Sequence, residues 1–133
     1  MSQTISNKQL QLNKELHEKE QNFGNRADGA GLADRLPVSI HRMHQMGVCN
    51  SVLDYGTGKG KLVHRLRREL PETISVYGYD PAVEEWRKKP SQSVDILVCL
   101  DVLEHVEMKS LNKVLEEIYE MTNVFCYLVI DLQ

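Results

Sequence analysis

The 133-residue sequence has no apolar run approaching the roughly 20 residues that a membrane-spanning helix needs. Its first residues are polar and carry no signal-peptide core, so the expectation is a cytoplasmic protein. It also lacks a CxxC pair and any Cys/His spacing suited to zinc. The three cysteines, Cys49, Cys99 and Cys126, are far apart and odd in number, which gives no disulfide framework and fits a reducing compartment. Cys99 and Cys126 lie in apolar runs and read as small buried hydrophobes. There is no basic excess: 16 Lys and Arg stand against 19 Asp and Glu, and a net charge of −3 argues against nucleic acid as a partner. No internal repeat or low-complexity tract is present. What remains, 41% hydrophobic and 26% charged, suits one globular domain.

One stretch organises the rest. Ser51-Val52-Leu53-Asp54-Tyr55 favours extended backbone and runs straight into Gly56-Thr57-Gly58-Lys59-Gly60. Lys61 to Leu70 then places Leu62, Val63, Leu66 and Leu70 at helical spacing. Strand, glycine turn and helix together make a cradle in which backbone N–H groups and a helix N-terminus can approach a ligand closely. The glycines run G-x-G-x-G, whereas the dinucleotide fingerprint is G-x-G-x-x-G, so a nicotinamide cofactor is disfavoured.

Along the chain, residues 1–31 read as a polar arm, with a helical pattern over Asn7–Glu20 and a loop over Phe23–Gly31. Leu32 to Met46 reads as a helix with Leu32, Leu36, Ile40 and Met43 on one face. Pro37 should start or kink it, and Gly47 should stop it. After the organising stretch, Pro71 closes its helix. Ile74–Tyr79 reads as a strand that ends in Asp80-Pro81, and Ala82–Lys89 as one or two helical turns. Val94–Leu100 is a third strand, apolar enough to be covered on both faces. Ser110–Met121 is an amphipathic helix and Val124–Ile130 a last strand. This order predicts a Rossmann-like, doubly wound α/β fold with a mostly parallel sheet of about four strands. Gly56–Gly60, Asp80 and Asp101–His105 each follow a strand at its C-terminal end, where ligands of such sheets bind. Asp80, about 20 positions beyond Gly60, can accept hydrogen bonds from ribose hydroxyls.

These segments resemble the class I S-adenosylmethionine-dependent methyltransferases. Val52-Leu53-Asp54-Tyr55-Gly56-Thr57-Gly58-Lys59-Gly60 is similar to that family's first motif, and Tyr79-Asp80-Pro81-Ala82-Val83 to its second. Val94 to Val106, with Asp101-Val102-Leu103-Glu104-His105, is similar to the stretch after its fourth strand. Asn13-Lys14-Glu15-Leu16-His17 and Phe23-Gly24 resemble the head of small bacterial and phage members. The resemblance implies that residues 32–133 form an S-adenosylmethionine-binding domain that transfers a methyl group to an unidentified acceptor. By it, Asp54 would orient the turn and the cofactor's ammonium group. Tyr55, Gly56, Gly58 and Gly60 would line the methionine and ribose. Asp80 would hold the ribose hydroxyls, Pro81 would lie beside the adenine, and Asp101 and Val102 would flank the cofactor.

The sequence departs from the family pattern in two places. Between Asp80 and Val94 there is too little chain for the usual further strand, so the sheet should be trimmed at that edge. The family fold continues beyond the point where this chain ends at Asp131-Leu132-Gln133, which suggests a shortened form, or a second copy or partner covering the last strand. The alternative to an enzyme is accordingly a non-catalytic S-adenosylmethionine-binding or interaction module.

Methyl transfer needs alignment more than acid or base; where a base is required, Asp101, Glu104 and His105 are the candidates. A divalent ion on those three would lack a further histidine, so no metal is assigned. Lys59, Lys61, Arg65, Arg67 and Arg68 read as a solvated helix face. His41 and His44 read as structural, and Glu116, Glu117 and Glu120 as helix surface. Trp86 and Tyr79 either stack on adenine or pack under the trimmed loop.

Overall fold

The computed structural model describes residues 30–130, with side chains described from Asp34. The arm helix expected over Asn7–Glu20 therefore lies outside the described residues. Ala30–Gln45 forms helix α1. It begins inside the expected loop, since Ala30 and Gly31 are already helical, and it runs through Pro37 instead of starting there. Leu36, Pro37 and Ile40 are buried, and this tertiary burial outweighs the missing hydrogen-bond donor of the proline. At the other end Gly47 takes φ +78°. Its N–H donates to His44 O at 3.0 Å and Val48 N–H to Met43 O at 2.9 Å. That pair of bonds is a Schellman stop, which only a residue tolerant of left-handed backbone completes without strain.

Strand β1 is Ser51–Tyr55, helix α2 Lys61–Glu69 and strand β2 Ser75–Tyr79. Strand β3 is Val94–Leu100, helix α3 Met108–Met121 and strand β4 Thr122–Val129. The expected helical turns after Asp80 shrink to a single 3₁₀ turn at Glu84–Trp86, and another spans Leu103–His105. The four strands pair in the order β2-β1-β3-β4, every neighbour parallel. The sheet order reverses beside β1, because β2 leaves on one side of it and β3 returns on the other. That makes the carboxyl ends of β1 and β3 the switch point of a Rossmann-like sheet. Among the described residues β2 and β4 are the two edges, so no strand replaces the one trimmed after Asp80.

Side chains alternate across the sheet as the pleat requires. Val52, Val76, Ile96 and Val98 face α1 and α2 and pack with Ile40, Val63 and Leu66. Leu53, Leu97, Cys99, Cys126 and Leu128 face the other way and pack with Ile118 of α3. None of the three cysteines forms a disulfide, and all are buried. Covering both faces keeps β1 and β3 dry along their length, which explains their near-continuous apolar sequence. No helix of the described residues is long and apolar enough to cross a membrane.

Ile118 is the fully buried anchor of α3. Ile118→Ala should destabilise the domain by about 2–5 kcal/mol. Glu120→Ala on the exposed side of that helix should change stability by less than about 0.5 kcal/mol. Urea unfolding of the two variants measures the contrast, and equal small effects would mean that α3 does not seal this face.

Candidate functional site

The glycine turn is built by its own backbone. Gly56, Gly58 and Gly60 all adopt positive φ, at +79°, +59° and +78°. Gly56 N–H and Thr57 N–H both donate to Tyr79 O, at 2.7 and 3.2 Å. Gly58 N–H donates to Asp80 Oδ2 at 2.9 Å, and Gly60 N–H to Thr57 O at 3.0 Å. The turn therefore folds over the end of β2. Most of its amides are already used internally, which the sequence reading of free N–H donors did not anticipate. What the turn offers a ligand is close approach.

The three glycines do different jobs. A Cβ on Gly56 would lie 2.5 Å from Cγ2 of Val102, so this glycine lets the turn abut the segment that follows β3. Gly60, in left-handed conformation ahead of α2, presses against Trp86. Gly58 is different: a Cβ there would meet nothing within 4 Å. It faces open space beside Asp80, so nothing in the fold bars close approach to its backbone there.

Asp80 stands at the end of β2 with both oxygens engaged. Oδ2 takes the Gly58 N–H, and Oδ1 takes the Ala82 N–H at 3.0 Å. A carboxylate has about four acceptor positions, so capacity remains for hydroxyl donors. Pro81 beside it is exposed.

Asp54 is the one buried charged residue among those described, at 5% exposure. Burial pushes its carboxyl up from 3.8 to about 6. The Thr57 hydroxyl pulls it back down, and the negative Asp80 adds to the rise. That hydroxyl is itself buried and makes no hydrogen bond of good geometry with a described residue.

The third carboxylate, Asp101, directly follows β3 and is exposed. It is the single non-glycine residue of the described chain with positive φ, +57°, and its N–H donates to Val129 O at 2.8 Å. A residue held in that region at a strand tip is a common mark of functional sites. Beside these groups, Cys99 reports their convergence. Burial raises its thiol far above the usual range, and the charges of Asp54, Glu104 and Asp101 add to the rise. Cys99 is thus an inert thiol among carboxylates.

The structure brings Asp54, Gly56, Gly58, Gly60, Asp80, Asp101 and Val102 to the carboxyl end of the sheet. Glu104, half-buried, and His105, exposed, lie on the 3₁₀ turn that follows. Tyr55 is the exception. Its ring packs on the α3 side, 5.4 Å from the Tyr79 ring, and its hydroxyl donates to Glu117 Oε1 at 2.6 Å. Only its backbone leads into the turn. Tyr79 is buried in the same cluster.

Glu117 corrects the surface reading. It is half-buried and joins Tyr55 to Lys89, whose Nζ donates to Oε2 at 2.6 Å and sits 5.7 Å from the Tyr79 ring. Burial would raise this carboxyl, but the bonds from Lys89 and Tyr55 outweigh it and hold it below the usual range. Nothing local in the sequence marks Glu117, because its partners come from β1 and from the loop after β2. The basic residues of α2 are in part structural. Arg65 pairs with Asp34 and Glu69, and Arg67 donates to Val76 O. His44 is structural too, bonding Cys49 O and the Thr73 hydroxyl. Among the described residues no group of three or more His, Cys, Asp or Glu is arranged to hold a metal ion.

A parallel four-stranded sheet with a glycine turn and carboxylates at its switch point defines a Rossmann-like α/β domain. The sequence matches the methyltransferase-domain family over residues 10–131, and the chain belongs to that family. No curated protein and no solved structure matches it.

The buried Asp54 makes stability depend on pH. Its native pKa lies above the ordinary 3.8, so the native state holds an extra proton between pH 3.8 and about 6. The penalty on folding is absent below that window, grows as pH rises through it, and is complete above it. At about 1.4 kcal/mol per pKa unit, Asp54→Asn should stabilise the free protein by about 1–3 kcal/mol at pH 7. The gain should vanish near pH 4. Urea unfolding at both pH values tests this, and equal stability of the two proteins at pH 7 would contradict it.

Proposed function

We propose that the domain binds S-adenosyl-L-methionine and transfers its methyl group to an acceptor. The observation that carries this reading is the unobstructed backbone of Gly58, bonded to Asp80. It lies where Asp80 closes β2, near the buried Asp54, with Val102 against the turn. These residues fit the group. Asp80 would take the ribose hydroxyls with its remaining lone pairs, and Pro81 would flank the adenine. The side-chain-free face of Gly58 would let ribose and methionine lie against the backbone. Asp54, once ionised, would supply the negative charge that the cofactor's ammonium group needs, directly or through water. Asp101 and Val102 would close the other side.

S-adenosylmethionine supplies a methyl on a positively charged sulfur, a carbon already activated for in-line displacement. What is left to the protein is alignment, which can account for about 7–11 kcal/mol of barrier lowering in well-oriented reactions. For an acceptor that must lose a proton, Asp101, Glu104 and His105 are the candidate bases. A neutral amine or thiolate acceptor needs none of them.

Calorimetry with S-adenosylhomocysteine tests the reading. Gly58→Val puts a side chain into that open space and should abolish measurable binding. No neighbour is displaced, but φ +59° strains the residue at a cost of about 1–2 kcal/mol or more, so circular dichroism accompanies the titration to show that the domain is folded. Asp80→Ala should weaken binding at least tenfold, and the Gly58 N–H it orphans should cost about 1–3 kcal/mol of stability. Native affinity in either variant would remove that residue from the site. A labelled-methyl transfer screen then separates the two functional outcomes. Transfer identifies an enzyme, and binding without transfer identifies a cofactor-binding module.

A further inference from the structure

Trp86 is the sole tryptophan of the chain, buried on the 3₁₀ turn that follows Asp80. Its ring system is wedged between two glycines. A Cβ on Gly60 would overlap Cζ2 and lie 2.8 Å from Cε2 and 2.9 Å from Nε1. A Cβ on Gly78 would lie 2.9 Å from Cε3, and as close to Cγ2 of Val63. Gly60 closes the glycine turn, and Gly78 sits in β2 two residues before Asp80. The main chain of Trp86 is tied to the same loop, since its carbonyl accepts the Asp80 N–H at 2.7 Å. From α2, the His64 ring meets the indole edge-on at 5.8 Å, and the Arg67 guanidinium lies 5.9 Å from the ring centroid.

The indole N–H is buried and has no acceptor among the described residues. A buried donor without an acceptor lowers stability, and a phenyl ring in the same place would avoid that loss. What the larger ring system adds is reach: it touches the turn at Gly60 and the strand at Gly78 at once. A phenyl ring, shorter by the fused ring, would fall away from Gly60.

We infer that Trp86 is a positioning residue for the nucleoside end of the site, fixing the spacing between the Gly56–Gly60 turn and the Asp80 loop before a ligand arrives. This rests on the S-adenosylmethionine reading. Trp86 acts through Gly60 and Asp80 and need not touch the ligand. A site held in its bound geometry loses less freedom on binding, so loosening this wedge lowers affinity without removing any ligand contact.

The test compares the native chain with Trp86→Phe, first by amide hydrogen exchange without ligand and then by calorimetry with S-adenosylhomocysteine. The Gly58 amide should exchange about tenfold faster in the variant, while Leu97 and Val98 in β3 keep their protection. Affinity should fall about tenfold, with the melting temperature within a few degrees of native. Should the phenylalanine variant fail to fold, Trp86→Met keeps an apolar side chain of similar reach without the rigid ring, and should speed Gly58 exchange in the same way. Unchanged Gly58 exchange in the folded variant overturns the wedge whatever the ligand. Native affinity in Trp86→Phe overturns its role in binding. Absence of binding to the native chain overturns the cofactor reading, and the positioning role with it, while an exchange effect would still register the coupling of turn and loop.

Discussion

The hydrogen bond from Gly58 N–H to the Asp80 carboxylate joins the two halves of this site. One partner belongs to the turn after β1, the other to the tip of β2. Their meeting depends on the parallel pairing of those strands, which sets Tyr55 beside Tyr79. From that register the Tyr79 carbonyl can receive two consecutive N–H groups of the turn. The turn then has to bend back sharply, and only residues free of a Cβ take three positive φ values in five positions without strain. Sheet register, glycine placement and the Asp80 carboxylate thus form one constraint. The helices on either face serve it by keeping β1 and β3 fixed and dry.

That constraint is expensive at one point. Asp54 lies within the sheet, and burial works against its ionised form. A neutral substitute of the same size would suit the free protein better at neutral pH. The chain belongs to the methyltransferase-domain family. In our reading, the ammonium and ribose of S-adenosylmethionine are the groups that complete the site.

Much of this was legible in the sequence because it is local. Strand, glycine turn and helix occupy a continuous run from Ser51 to Glu69, and the hydrophobic period changes visibly along it. Strand β3 could be read to the residue, since burial on both faces leaves an unbroken apolar segment from Val94 to Leu100 apart from Asp95. That Asp80 and Asp101 directly follow strands was legible from the strand pattern. Contacts between distant segments were not legible. Glu117 looks like helix surface until Tyr55 and Lys89 are brought to it. Trp86 has no local signature as a wedge, because Gly60 and Gly78 meet it only in the fold. At Pro37 the sequence left two courses open, a helix that starts there or one that kinks; the helix runs through, because packing of Leu36 and Ile40 outweighs a local preference.

The central claim is that the turn, the end of β2 and the tip of β3 form a single seat for the adenosyl group. Backbone NMR of the isotopically labelled chain, titrated with S-adenosylhomocysteine, tests it most directly. The amides of Gly56–Gly60, Asp80–Ala82 and Asp101–Leu103 should shift together along one saturation curve, with those at the opposite end of the sheet, such as Ser51 and Ser75, unmoved. Shifts confined to one of the three segments, or centred elsewhere on the domain, would contradict the account.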